Sequence, residues 1–329
     1  INRDNTLAGI ETLAATNPCG EIPLPPYGAC DLGSLNLAAF VRAPFASTAS
    51  FDHAALEDAT RIAVRLLDDV IDASRYPLPA QAREAHDKRR VGLGVTGLAD
   101  ALAMLNLAYA SAAARDFAAG LMCRVRDAAY RASVDLAREK GAFPRFDAGA
   151  FLASGFAQRL PADIRAAIAA HGIRNSHLLA IAPAGTISLL ANNVSSGIEP
   201  VFAAEAERRV LGADGRYSVH RVDDCACRLW QRQGRAGRPP ALVEARQLDP
   251  RAHLLMQAAL QPYVDNAISK TINVAADLPF DAFQDLYREA HALGLKGCTV
   301  FRPNPITGAI LSDTADTATP CCGVEREAD

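Results

Sequence analysis

The chain reads as an α/β protein, and three features point there. Amphipathic helical stretches alternate with short apolar runs, which is the pattern of strands crossing over through helices. The apolar runs are bounded by Gly, Pro and Asn, which act as turn residues. At 329 residues with 50% hydrophobic content, the chain can bury a large core as one domain or two.

Taken in order, residues 52–74 place apolar side chains at helical spacing with acids opposite. Asp52 is positioned to cap this helix, and Pro77 and Pro79 close it. Residues 97–109 and 114–140 are Ala-rich and helical, with Gly141 and Pro144 ending the second. A short helix over 162–170 stops at Gly172. His177–Ile181 is a compact apolar run between turn residues and reads as a buried strand. Pro183-Ala184-Gly185-Thr186 turns the chain, and a helix starts near Ile187. Residues 204–245 are polar and rich in Arg and Gly, so they read as an insertion or a mobile surface excursion. Helices recur at 250–260 and 281–293, each leading to an apolar stretch, at 271–275 and 297–301. The tail over 312–329 is polar and ends in a vicinal pair, Cys321-Cys322.

Composition narrows the function classes. Net charge is -3, so no bulk basic surface recommends nucleic acid as a partner. No apolar run approaches the roughly 18 residues of a membrane span. Eight cysteines scattered over this length are not the dense framework of a small secreted domain, so a reducing cytoplasm is the expected setting. Cys225-Ala226-Cys227 lacks a second pair at finger-like spacing, so no metal site is expected. The chain begins at Ile1 without Met, and reads as a piece of a longer polypeptide.

The chemistry concentrates in Asn17-Pro18-Cys19-Gly20-Glu21. Pro18 biases Asn17 toward extended backbone, where alternate side chains share a side. Asn17, Cys19 and Glu21 are therefore expected to converge, bringing an amide, a thiol and a carboxylate to one point. A lone cysteine is ordinarily a small core residue. Here it stands among polar and turn-forming neighbours, which is poor core sequence. Cys30 follows eleven positions on, past a Pro-Pro-Tyr-Gly stretch able to fold the chain back.

The run NPCGEIPLPPYGACDLGSLNL resembles the active-site segment of ribonucleotide reductases, the adenosylcobalamin-dependent class in particular. The resemblance extends to about residue 311, weakest over 204–245, and implies the C-terminal half of a ten-stranded α/β barrel with 17–21 on a central finger loop. It implies a thiyl radical at Cys19, Glu21 as the base for the ribose 3′-hydroxyl, and Asn17 holding the ribose hydroxyls. Cys30 would be half of a redox pair whose partner lies upstream of the finger loop. Adenosylcobalamin as cofactor, a ribonucleoside-diphosphate reductase activity and a thioredoxin- or glutaredoxin-type reductant follow from the same likeness. So does a homodimer formed through the upstream remainder, without which this chain alone is expected to be inactive.

Two further segments carry the resemblance. In RNSHLLAIAPAGTISLLANNVSSGIEP, a strand, a Gly-containing turn and a helix start bring free N–H groups and a positive helix end together. On its own residues this is equally an ordinary strand–turn–helix with a hydroxyl cap. The likeness to the family's substrate-phosphate loop assigns Ala184, Gly185, Thr186, Ile187 and Ser188 to the nucleotide phosphates, Ala184 through its backbone alone. Lys296-Gly297-Cys298-Thr299-Val300-Phe301-Arg302 looks like the family's late-barrel strand, with Val300-Phe301 where class I enzymes carry a radical-relaying tyrosine pair. The segment Gly92-Leu93-Gly94-Val95-Thr96-Gly97 matches the dinucleotide fingerprint, but its approach is the charged run His86–Arg90 and not a strand, so it reads as scaffold. Two other readings stay open: a class I large subunit fed by a partner, and a non-catalytic nucleotide-binding protein of the same fold.

Overall fold

The computed structural model describes residues 1–211, 215–302 and 311–313. Its centre is a parallel sheet whose passes are laid down in chain order. Strand β1 (Ala15–Thr16) and β2 (Pro23–Leu24) form a small antiparallel hairpin. The first pass of the central sheet, β3 (Asp31–Asn36), follows. Two short strands, β4 (Val41–Arg42) and β5 (Ser50–Phe51), pair antiparallel before helix α1 (His53–Ala73). Helix α2 (Pro79–Lys88) leads into β6 (Val91–Thr96), which pairs parallel with β3 from Asp31↔Val91 to Asn36↔Thr96.

Residues 177–181 form the third pass. They bond to β6 through Val91 N–H to His177 O at 3.1 Å and Ala180 N–H to Leu93 O at 3.1 Å. On the other side Ile181 donates to Ala267 O at 3.2 Å, and Ser269 donates to Ile181 O at 2.8 Å. The fourth pass runs from residue 266 into β9 (Thr271–Asn273), and β10 (Thr299–Phe301) pairs parallel with it as the fifth. Among the described residues the sheet is open, with β3 and β10 at its edges.

The dinucleotide-like glycines are explained by this sheet. Residues 91–96 are themselves a strand, buried along its whole length. A Cβ on Gly94 would lie 2.3 Å from the Ala180 carbonyl oxygen, so the neighbouring pass fits only against glycine. Gly97, at φ +72°, opens helix α3 (Leu98–Met104).

Helices cover the sheet because their apolar stripes require it. In α1, Leu56, Val64, Leu67 and Ile71 recur on the buried face. Asp52 caps it as expected, its carboxylate accepting the Ala55 N–H at 3.0 Å. Helix α4 (Ala112–Lys140) lies against α1, and Gly141 ends it at φ +86°. Beyond it come α5 (Ala148–Ala153), α6 (Ala162–His171) and α7 (Gly185–Leu190). Asp68, fully buried on α1, accepts from Arg89 at 2.8 Å, Asn175 at 3.0 Å and Arg174 at 3.3 Å, joining α1 to the starts of two strands.

Several sequence expectations need correction. The helix expected over 97–109 stops at Met104, where Asn106 takes φ +61° and turns the chain. Pro79 does not merely end α1; it sits in the first turn of α2, where its missing N–H costs nothing. The stretch 204–245, expected as an insertion or a mobile surface excursion, carries regular structure among its described residues. It folds as an antiparallel hairpin, β7 (Glu205–Leu211) with β8 (Tyr217–Asp223), followed by α8 (Cys225–Arg232). Ala226 and Cys227 of α8 are buried in the main core. Helices α9 (Pro250–Leu260) and α10 (Phe280–Ala292) follow, and β11 (Leu311–Asp313) pairs with β7. The pair Cys321-Cys322 lies outside the described residues. No helix among those described is long and apolar enough to cross a membrane.

Candidate active site

Residues 17–21 are not extended, contrary to the alternation read from Pro18. They form the tip of the β1–β2 hairpin. Gly20 donates to Asn17 O at 3.1 Å, closing a tight turn through Pro18 and Cys19. Asn first, Pro second and Gly fourth are the preferences of a type I turn, so the signal was in the sequence but was read as strand. Asn17 closes the loop twice more. Its N–H donates to Ile22 O at 3.1 Å, and its side-chain oxygen accepts the Ile22 N–H at 3.0 Å. That leaves the Asn17 amide nitrogen as the donor available to a ligand.

The turn separates the three side chains by depth. Cys19 is exposed and Asn17 half-buried, while Glu21 is 2% exposed. The Glu21 carbonyl accepts the Ala267 N–H at 2.8 Å, which pins the tip to the fourth pass. Its carboxylate oxygen Oε2 is buried without a hydrogen-bond partner. A buried carboxylate oxygen left unsatisfied is costly in a native fold, and is the arrangement of a group kept ready for a proton from a ligand.

Both thiols are held protonated. Partial burial and then the Glu21 charge push Cys19 above its ordinary value. Half-buried Cys30 is pushed well above by desolvation; the Arg90 guanidinium opposes this, while Asp31, Asp265 and Glu21 add to it. Both side chains therefore feel Glu21. Arg90 and Asp265 were not singled out by sequence: Arg90 closes the charged run His86–Arg90 and Asp265 follows an apolar valine, and only folding brings them to Cys30. Asp31, next to Cys30, carries a buried Oδ2 without a partner and is raised to about 6, chiefly by burial.

The predicted phosphate turn lies at the end of the third pass. Ala184 is buried, and its N–H is taken by Ser196 Oγ at 2.7 Å. Gly185, Thr186 and Ile187 form the exposed first turn of α7, where N–H groups have no partner within the helix. Ser188 is buried and its hydroxyl donates to Gly185 O at 2.9 Å, so it braces the turn. Gly185 and Ser188 line a cavity of about 270 Å³, together with Ser196, Glu199, Thr271 and Asn273. The hairpin tip is not part of that lining. The two are linked through Ala267, which donates to Glu21 O and accepts from Ile181, three residues before Ala184. Ser196 and Glu199 escaped sequence reasoning, although they stand in the same NNVSSGIEP run.

Among the described residues, one acidic group, Asp68, Asp69 and Asp72, has oxygens close enough to hold a metal ion. Arg89, Lys140 and Arg174 already pair with these carboxylates, so the cluster reads as an ion network.

Comparison with known proteins supplies the family. The family model "Ribonucleotide reductase, barrel domain" matches residues 1–301. A vitamin B12-dependent ribonucleoside-diphosphate reductase of Mycobacterium tuberculosis (strain CDC 1551 / Oshkosh) is 39% identical over 333 residues, covering 96% of this chain and 45% of the relative. One of the same name from Thermoplasma acidophilum is 34% identical, covering 97% and 42%. A ribonucleoside-diphosphate reductase subunit alpha of Treponema pallidum is 29% identical, covering 74% and 28%. The chain thus spans less than half the length of these relatives.

Proposed function

Because this chain belongs to the ribonucleotide reductase barrel-domain family, we propose that it forms the finger-loop half of an adenosylcobalamin-dependent ribonucleoside-diphosphate reductase, acting in the cytoplasm. The observation that carries this reading is the hairpin tip, with an exposed, protonated thiol above a buried carboxylate that has a free oxygen. The five parallel passes are then one half of a ten-stranded barrel, and the tip is its finger.

In the proposed reaction a Cys19 sulfur radical forms an S–H bond as the ribose C3′–H bond breaks. Glu21 Oε2 accepts the 3′-hydroxyl proton. Asn17 donates its free amide N–H to the ribose hydroxyls. The 2′-hydroxyl leaves as water with a proton from the pair formed by Cys30 and an upstream cysteine. The two electrons and remaining proton of that pair reduce C2′ as it becomes a disulfide. Glu21 then returns its proton to the 3′-oxygen, and Cys19 gives its hydrogen back to C3′ and regains the sulfur radical. A thioredoxin- or glutaredoxin-type dithiol then reduces that disulfide. The first turn of α7 receives the substrate phosphates on its backbone N–H groups.

The cofactor reading fits the thiol. Cys19 is exposed, accessible to a bulky group beside the tip, and is kept as S–H, the form able to lose a hydrogen atom. Bound adenosylcobalamin supplies the one-electron chemistry that takes that hydrogen. The two relatives of higher identity quoted above carry vitamin B12 in their names, which favours this over a radical delivered by a partner subunit. The test is turnover of a ribonucleotide by the intact protein with adenosylcobalamin and no second subunit. Activity that requires an added subunit would overturn the cofactor assignment.

A further inference from the structure

Residues 195–199 link the C-terminal ends of three successive sheet passes. Ser195 O accepts from Thr96 Oγ1 at 2.9 Å and from Gly97 N–H at 2.7 Å, at the end of β6. Ser196 Oγ accepts the Ala184 N–H at 2.7 Å, just past the third pass. Tyr109 donates its hydroxyl to Ile198 O at 2.6 Å. Glu199 Oε1 accepts the Thr271 N–H at 2.7 Å, while Oε2 pairs with Lys270, on the fourth pass.

The Lys270 end is fully built. Its side chain is buried, and its three donors reach Glu199, His253 Nδ1 at 2.8 Å and Thr271 O at 2.5 Å. His253 accepts through Nδ1, so its ring is neutral. Burial, with the Lys270 charge behind it, lowers its pKa to about 3, in keeping with that state. A buried ammonium with every proton placed makes a rigid anchor, and Glu199 is the carboxylate that pairs with it.

We infer that Ser196 and Glu199 are positioning residues for the nucleotide site: Ser196 holds the Ala184 end of the phosphate turn, and Glu199 fastens the same loop to Lys270. The inference rests on the proposed phosphate role of residues 184–188. Its physical basis is that Ala184 is buried, so its N–H needs a partner, and Ser196 is that partner. The turn and the cavity wall opposite, at Thr271 and Asn273, are thereby held in one frame.

The test uses the intact protein with a ribonucleoside diphosphate, and compares the parent with Ser196→Ala and Ser196→Thr. Ser196→Ala is expected to raise KM about tenfold, the scale of one lost hydrogen bond, with kcat within about twofold. Amide exchange at Ala184 should accelerate by a similar factor. Ser196→Thr keeps the oxygen and should restore both. Glu199→Gln strands a buried ammonium and is expected to fold poorly. The pair Glu199→Gln with Lys270→Met removes the charge problem and should fold with a raised KM. Unchanged KM and unchanged Ala184 exchange in Ser196→Ala would overturn the inference. A parent that binds no ribonucleotide would instead overturn the functional reading, and the inference with it.

Discussion

Ala267 donates its backbone N–H to the carbonyl of Glu21 at 2.8 Å, and the carbonyl of Ala267 accepts from Ile181. One residue of the fourth pass thus bridges the hairpin tip and the strand that enters the phosphate turn. The reacting end of a substrate and its phosphates would be held by elements in direct hydrogen-bond register.

Cys19→Ser in the intact protein should abolish nucleotide reduction while leaving nucleotide binding in place. A hydroxyl O–H bond is too strong to exchange hydrogen with the ribose, and the exposed side chain contributes little to folding. Turnover and binding measured side by side check this. Appreciable turnover by the variant removes Cys19 from the mechanism.

Cys30→Ser should block repeated turnover driven by a thioredoxin-type dithiol, because one electron-donating thiol is gone. Counting free thiols before and after a single turnover without reductant gives the direct readout. Cys30 should be lost from the count in the parent. A thiol count that leaves Cys30 free contradicts the redox role.

Gly185→Val should weaken nucleotide binding by about 1–3 kcal/mol, the scale of lost charge-assisted hydrogen bonds. A Cβ at Gly185 meets no protein atom within 4 Å, so the first atom of a side chain is accommodated and the effect should fall on the ligand. Thr186→Ala should cost less, since the backbone donors remain. Titration with nucleotide and with nucleoside separates the cases: equal losses for both ligands would mean damage to the fold.

Asp31→Asn should stabilise the protein at pH 8 and change little at pH 4. The folded-state pKa of Asp31 is raised to about 6 from an ordinary 3.8, chiefly by burial. Its contribution to stability is therefore fully present below about pH 4 and is lost as pH rises through 6. Asn mimics the protonated acid and removes that loss. Thermal melts at the two pH values test the sign, and a Tm at pH 8 at or below the parent's contradicts it.

The sequence by itself determined the α/β class, the placement of most helices and which residues are proposed to carry the chemistry. These are local properties: amphipathic spacing, Asp52 as a cap, Gly141 as a stop, and a 21-residue run whose residue types match one family. The fully buried strand β6 was legible only as scaffold, because a strand covered on both faces shows no alternation, and its glycines imitate a phosphate loop. The hairpin tip was legible as residues but not as shape, since Pro18 is compatible with both extended chain and a turn.

Only the tertiary structure decided how deep each side chain lies and what it meets. Cys19 and Glu21 are two residues apart, yet one is exposed and the other buried, because Gly20 turns the chain and Ala267 captures the carbonyl of Glu21. Ser196, Glu199 and Lys270 became a single device through hydrogen bonds to residues 12, 72 and 71 positions away in sequence respectively. Periodicity and turn chemistry act over a few residues, whereas partners this distant are set by the order in which the sheet passes stack. The physical reason is that burial and pairing are properties of the packed chain, and no single segment contains them.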